Sequence, residues 1–196
     1  MRHRLALVLT LSLAATSTAA ETSASFQNGL MLKKAGNHAQ AAEVFAGIVS
    51  QNPRDPAALE QLATLQGWLG KYDDAITLWQ TALEVVPNSG DFRLGLARVL
   101  LWKGDYERSS REVEAILSAD PKNIDARVLL GDILTAREQL TEARAAYKSA
   151  LALAPDNQEL VKKLGRTQEP LLWRLDSGFI SEQFSRFRGT EYDAYA

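Results

Sequence analysis

Residues 62–87 read LATLQGWLGKYDDAITLWQTALEVVP. Two helical runs are broken at Gly70, and Pro87 stops the second. The same punctuation recurs along the chain. Pro53, Pro87, Pro121 and Pro155 stand 34 residues apart with no slippage. Seventeen residues before them come Gly36, Gly70, Gly104 and Glu138; five residues after those come Ala41, Ala75, Ser109 and Ala143. Nine after come Phe45, Trp79, Val113 and Tyr147, and twelve after come Ile48, Ala82, Ile116 and Ala150. Four registers that stay in step over four copies mark an internal repeat.

The pattern resembles the tetratricopeptide repeat, whose period is 34 and whose unit is a helix–turn–helix. The resemblance covers about residues 22–155. Each signature residue has a physical reason. The Gly belongs in the tight turn between helix A and helix B, where a positive φ costs it little. Tyr72 and Tyr106 pack over that turn from the start of helix B. The small residue at 41, 75, 109 and 143 lets two helix backbones approach, and the large one at 45, 79, 113 and 147 fills the groove beside it. The Pro cannot continue helix B and closes the unit. Glu138 departs from the pattern, and a looser turn or another backbone path is expected there. Ser25 replaces the large residue of helix A in the first unit, as suits an end repeat facing water.

A helices are expected near 23–35, 56–69, 90–103 and 124–137, and B helices near 38–51, 72–85, 106–119 and 140–153. An amphipathic helix at about 157–167, carrying Leu160, Val161 and Leu164, would cap the last repeat. The expected fold class is all-α: an α-solenoid of four repeats (about 22–55, 56–89, 90–123 and 124–155) plus the capping helix, the superhelix ending near 168, with a short C-terminal β-hairpin or strand.

The flanks read differently. MRHRLALVLTLSLAATSTAA, residues 1–20, has Arg2 and Arg4, an apolar run from Leu5 to Ala15 and small residues at Thr18 and Ala20. That is the build of a secretory signal peptide, and the run is too short to span a bilayer comfortably. Its removal leaves 20 basic and 24 acidic residues, a formal charge of −4. Nothing in that balance favours nucleic acid. The chain has no Cys, so an exported form has no disulfide and no lipid-bearing cysteine, and rests on packing.

At the other end, LLWRLDSGFISEQFSRFRGTEYDAYA (171–196) alternates Trp173, Leu175 and Phe179 against Arg174 and Asp176 beyond Pro170. That is a strand pattern, with a turn near Gly189 and a return through Tyr192 and Ala194. Residues 170–196 are read as a strand or hairpin, the possible start of an outer-membrane barrel. The order of leader, repeats and first strand is similar to the YaiO-like outer-membrane barrel family and resembles exopolysaccharide export porins. Two strands cannot close a barrel, so the expectation is a piece of a longer protein; the alternative is a hairpin packed on the last helices.

Catalytic chemistry finds little support. The expected enzyme activity is none, and no cofactor is implied. His38, the lone His beyond the leader, reads as a surface or capping residue at the head of a B helix. No His or Cys cluster suits a transition metal, and no Gly-rich loop suits a phosphate. Asp73 and Asp74 complement a helix dipole. Binding is the better reading. In the family the groove side of helix A is positions 2, 5, 9, 12 and 13. The resemblance therefore implies a groove of Lys33, Lys34, Glu60, Thr64, Trp68, Leu94, Arg98, Trp102 and Asp132, with Asp125 and Val128 in the fourth unit. Trp68 and Trp102 hold a peptide or a sugar ring, or else fill space between repeats. Glu60, Arg98 and Asp132 alternate in sign, and either pair with one another or read a polar ligand. The family's carboxylate clamp needs Lys and Asn together, which this groove lacks. The expectation is an exported periplasmic scaffold for a protein or polysaccharide ligand, associated with the outer membrane through its C-terminal segment. The alternative is an accessory part of a polysaccharide-processing enzyme.

Overall fold

The four prolines of the repeat lie in turns between helices, at the seams. Two residues beyond each, the chain turns into a helix behind a polar cap. Asp55 accepts from the Ala57 and Ala58 amides (both 3.0 Å), Ser89 from Phe92 (3.2 Å), Asn123 from Ala126 (2.9 Å), and Asn157 from Glu159 and Leu160 (3.0 and 3.2 Å). These oxygens satisfy amides that a helix start leaves unpaired. The cap amides donate three residues back, Asp55 to Asn52, Ser89 to Val86, Asn123 to Asp120 and Asn157 to Ala154, so one turn geometry serves every seam.

A computed structural model of the chain describes residues 22–167, and these form nine α-helices with no strand among them. They are α1 (22–34), α2 (His38–Gln51), α3 (Pro56–Trp68), α4 (Tyr72–Val85), α5 (Gly90–Lys103), α6 (Tyr106–Ala119), α7 (Ile124–Ala136), α8 (Leu140–Leu153) and α9 (Gln158–Arg166). Odd-numbered helices through α7 are the A helices, even-numbered the B helices. The leader reading (1–20) and the strand reading (170–196) fall outside the described residues.

Between A and B the backbone turns left-handed for one residue, at Gly36 (φ 81°), Gly70 (76°) and Gly104 (86°). In the first unit the Asn37 amide reaches back to Leu32 O and Gly36 to Lys33 O; Lys71/Gln66 with Gly70/Gly67, and Asp105/Leu100 with Gly104/Leu101, repeat it. This paired closure satisfies the last helical carbonyls. Glu138 corrects the expectation of a different path: its φ is 62°, and Gln139 to Leu134 and Glu138 to Thr135 complete the same closure. The hydrogen bonds and flanking helices hold a non-Gly residue in a region that ordinarily costs about 1–2 kcal/mol.

Packing follows the register. Ala41, Ala75, Ser109 and Ala143 are fully buried, and Phe45, Trp79, Val113 and Tyr147 are buried beside them. The large side chains press on backbone where the facing helix has no Cβ. Phe45 covers Gly29 and Tyr147 covers Gly131, each within its own repeat. Ser109 donates its hydroxyl to Ala97 O at 2.7 Å, so the one polar residue in the small column is satisfied. Leu160 of α9 is buried against Ala143, Tyr147 and Ala150, in the place a next A helix would take. A helices of adjacent repeats touch directly, α3 with α5 and α5 with α7, while α4, α6 and α8 make no comparable contact with one another. The stack therefore bends with the A helices on its inner side.

Candidate binding groove

The two candidate tryptophans stand in the last turns of their A helices. Trp68 ends α3 and is 48% exposed; Trp102, one period later on α5, is 41% exposed. Both indoles lean back by one repeat. The Trp102 six-membered ring lies on Gly67, where a Cβ would sit 3.1 Å from its Cζ3. Trp68 lies over Lys33, which is one period before Gly67; the Lys33 ammonium is 5.0 Å from the indole centroid. A cation over that negative face is attracted electrostatically. The His38 ring packs against the same indole, with centroids 4.9 Å apart and planes tilted by 51°. His38 is thus no cap: the residue at the cap position is Asn37, which makes no side-chain capping bond.

Lys33 is held further by donating to Gln61 Oε1 at 2.7 Å. Its partial burial pulls its pKa below the usual lysine value, and the Glu60 carboxylate opposes that shift. Thr64 and Glu60 are half-buried on the same helix, while Lys34 and Arg98 are exposed.

The predicted sign alternation is not a chain of mutual pairs. Neither Glu60 nor Arg98 has an ion pair within 4 Å among the described residues. Asp132 is engaged elsewhere: it accepts from the Tyr147 hydroxyl at 2.7 Å and from Lys163 of α9 at 2.5 Å. Lys163 also lies 5.9 Å from the Tyr147 ring centroid. Asp132 thereby latches the terminal helix. Burial, with the Asp132 carboxylate adding to it, raises the Tyr147 pKa well above the usual phenol range. Leu94 and Val128 pack against neighbouring core clusters, and Asp125 is exposed in the first turn of α7.

The structure brings Lys33, Gln61 and His38 together around Trp68, and sets Trp102 on Gly67. It assigns Asp132 to the latch and Leu94 to packing. The sequence reading missed Gly67, Gln61 and Lys163. Gly67 had a signal: it stands one period after Lys33 and just before a tryptophan. Lys163 had none, because its partner is 31 residues away. Among the candidate groove residues other than Asp132, basic groups outnumber acidic ones, with Lys33, Lys34 and Arg98 against Glu60, although the whole chain is formally −2. Among the described residues no group of three or more His, Asp or Glu side chains is placed to hold a metal ion. None of the described helices is long and apolar enough to cross a membrane.

The family model described as "Tetratricopeptide repeat" matches residues 69–133 and again 104–166. Human protein O-mannosyl-transferase TMTC1 is 25% identical over 160 residues, covering 82% of this chain and 18% of that protein. Cellulose synthase operon protein C of Pseudomonas fluorescens (strain SBW25) is 28% identical over 133 residues, covering 64% of this chain and 10% of that protein. The chain thus spans less than a fifth of either relative's length. Among solved structures, MamA from Desulfovibrio magneticus RS-1 superposes with a TM-score of 0.65 at 22% identity, covering 89% of this chain and 97% of that one. That likeness is one of fold.

Proposed function

The chain belongs to the tetratricopeptide repeat family, and we propose that it is an exported scaffold whose inner face holds an extended polymer, a protein segment or a polysaccharide chain. Interaction scaffolding is the family's role. The observation that carries the finer reading is the pair of half-exposed indoles, Trp68 and Trp102, on the side toward which the stack bends. Aromatic side chains left open at a concave surface are the groups that anchor partners. The test compares capture from a periplasmic extract by the wild type and by Trp68→Ala plus Trp102→Ala. Different partner sets support the groove; identical sets remove it.

The same proposal places the repeats in the periplasm, ahead of an outer-membrane segment, in a protein concerned with cell-surface polysaccharide. The leader pattern of residues 1–20 and the alternation of residues 171–180 support it, as does the similarity to cellulose synthase operon protein C. Fractionation of a Gram-negative host and mass analysis of the mature N-terminus test it: the expected start is Glu21, and an uncleaved cytoplasmic product refutes export. A second reading, an accessory region of a glycan-modifying enzyme, draws on the similarity to an O-mannosyl-transferase. Reading the gene beyond the codon for Ala196 separates the two: further alternating segments favour a barrel, and a catalytic domain favours the enzyme.

A further inference from the structure

We propose that Trp68 and Trp102 form a two-rung stacking platform for a linear polysaccharide, each rung pairing an indole with a polar side chain one helical turn away. This rests on the groove reading above and names its ligand class.

Three features carry it. First, the rungs are in register: each indole stands in the last turn of an A helix and leans onto the residue 35 positions earlier, Lys33 for Trp68 and Gly67 for Trp102. The absence of a Cβ at Gly67 lets the Trp102 ring settle on α3 beside the next rung. Neighbouring helices pack about 8–10 Å apart, roughly the length of two linked pyranose rings, so one chain can meet both indoles. Second, the rings are braced yet half-exposed. Lys33 and His38 hold Trp68, and Gly67 seats Trp102, so the exposed part of each indole is positioned in advance and little further entropy is lost on binding. The C–H face of a pyranose is apolar and weakly positive, matching the negative face of an indole. Third, Thr64 lies four residues before Trp68 and Arg98 four before Trp102, which puts each on its tryptophan's face of the helix. Sugar hydroxyls, or a uronate carboxylate at Arg98, find partners there.

The full chain is titrated with a neutral β-glucan hexasaccharide and with a uronate hexasaccharide, read by calorimetry and tryptophan fluorescence. Saturable binding of at least one is expected. Trp68→Ala and Trp102→Ala should each weaken it about tenfold with unchanged helical circular dichroism. Arg98→Gln should weaken the uronate arm alone. Because an alanine could loosen the fold, Trp102→Phe serves as a second variant and should retain most of the affinity. Binding of neither glycan, or binding indifferent to both alanine substitutions, overturns the proposal. If the glycans fail while partner capture still depends on the tryptophans, the ligand is a protein and the groove reading stands. If capture is also indifferent, both readings fall.

Discussion

The Trp79 indole reaches past its own repeat and lies on Gly95 of the next, so closely that a Cβ there would overlap the ring. Phe45 and Tyr147, at the same register position, instead cover Gly29 and Gly131 within their own repeats. The wider ring reaches a backbone in the next repeat while it stays clustered with Ala63 and Ala75 of its own.

Gly95→Ala should therefore destabilise the stack by about 1–3 kcal/mol through overpacking. That loss would exceed the roughly 0.8–1 kcal/mol that Ala otherwise gains over Gly inside a helix. Gly47 supplies the contrast: it lies within α2 with open space at its Cβ position. Gly47→Ala should stabilise by up to about 1 kcal/mol. Urea unfolding of the two variants, equal in chemistry and opposite in sign, checks both.

Glu138 occupies a left-handed turn that its three counterparts fill with glycine. Glu138→Gly relieves about 1–2 kcal/mol of backbone strain and returns about 0.4–1 kcal/mol of unfolded-state entropy. A net gain of about 0.5–1 kcal/mol is expected by that difference, visible as a higher melting temperature. A loss would show that the Glu138 side chain contributes more than its backbone costs.

The Asp132–Lys163 pair joins α7 to α9, with both side chains about a quarter exposed. Lys163→Met should cost about 1 kcal/mol and act locally. Hydrogen exchange of residues 158–166 should speed up while the amides of α3 and α5 stay protected. Uniform acceleration along the stack would contradict a local latch.

Tyr147 is 3% exposed, and its burial keeps the phenol protonated in the fold. Its pKa is raised above the ordinary value of 10.0, so its contribution is complete below pH 10. Above that the unfolded chain loses its proton first, and stability should fall by up to about 1.4 kcal/mol per pH unit. Tyr147→Phe should flatten that alkaline slope relative to the wild type. Equal slopes from pH 9 to 12 would remove Tyr147 from the titration.

Much of this architecture was legible in one dimension. The helices, the seam prolines and the A–B turns follow from properties a residue carries with it: proline lacks an amide, glycine tolerates positive φ, and a 34-residue period places equivalent side chains in equivalent surroundings. The caps Asp55, Ser89, Asn123 and Asn157 were equally periodic, although the prolines alone had marked the seams. The groove was legible only as far as the register reached. Position within helix A determines a side chain's direction, and that is all the register could say of Trp68, Arg98 and Trp102. What lies over them was settled by tertiary packing. Lys33 folds onto Trp68, Gly67 seats Trp102, and Asp132 turns from a groove position to its bond with Lys163, because these contacts join residues 31–35 apart through the approach of neighbouring helices. The path of the Glu138 turn was likewise settled in three dimensions, where the hydrogen bonds and the docking of two helices outweigh one residue's preference.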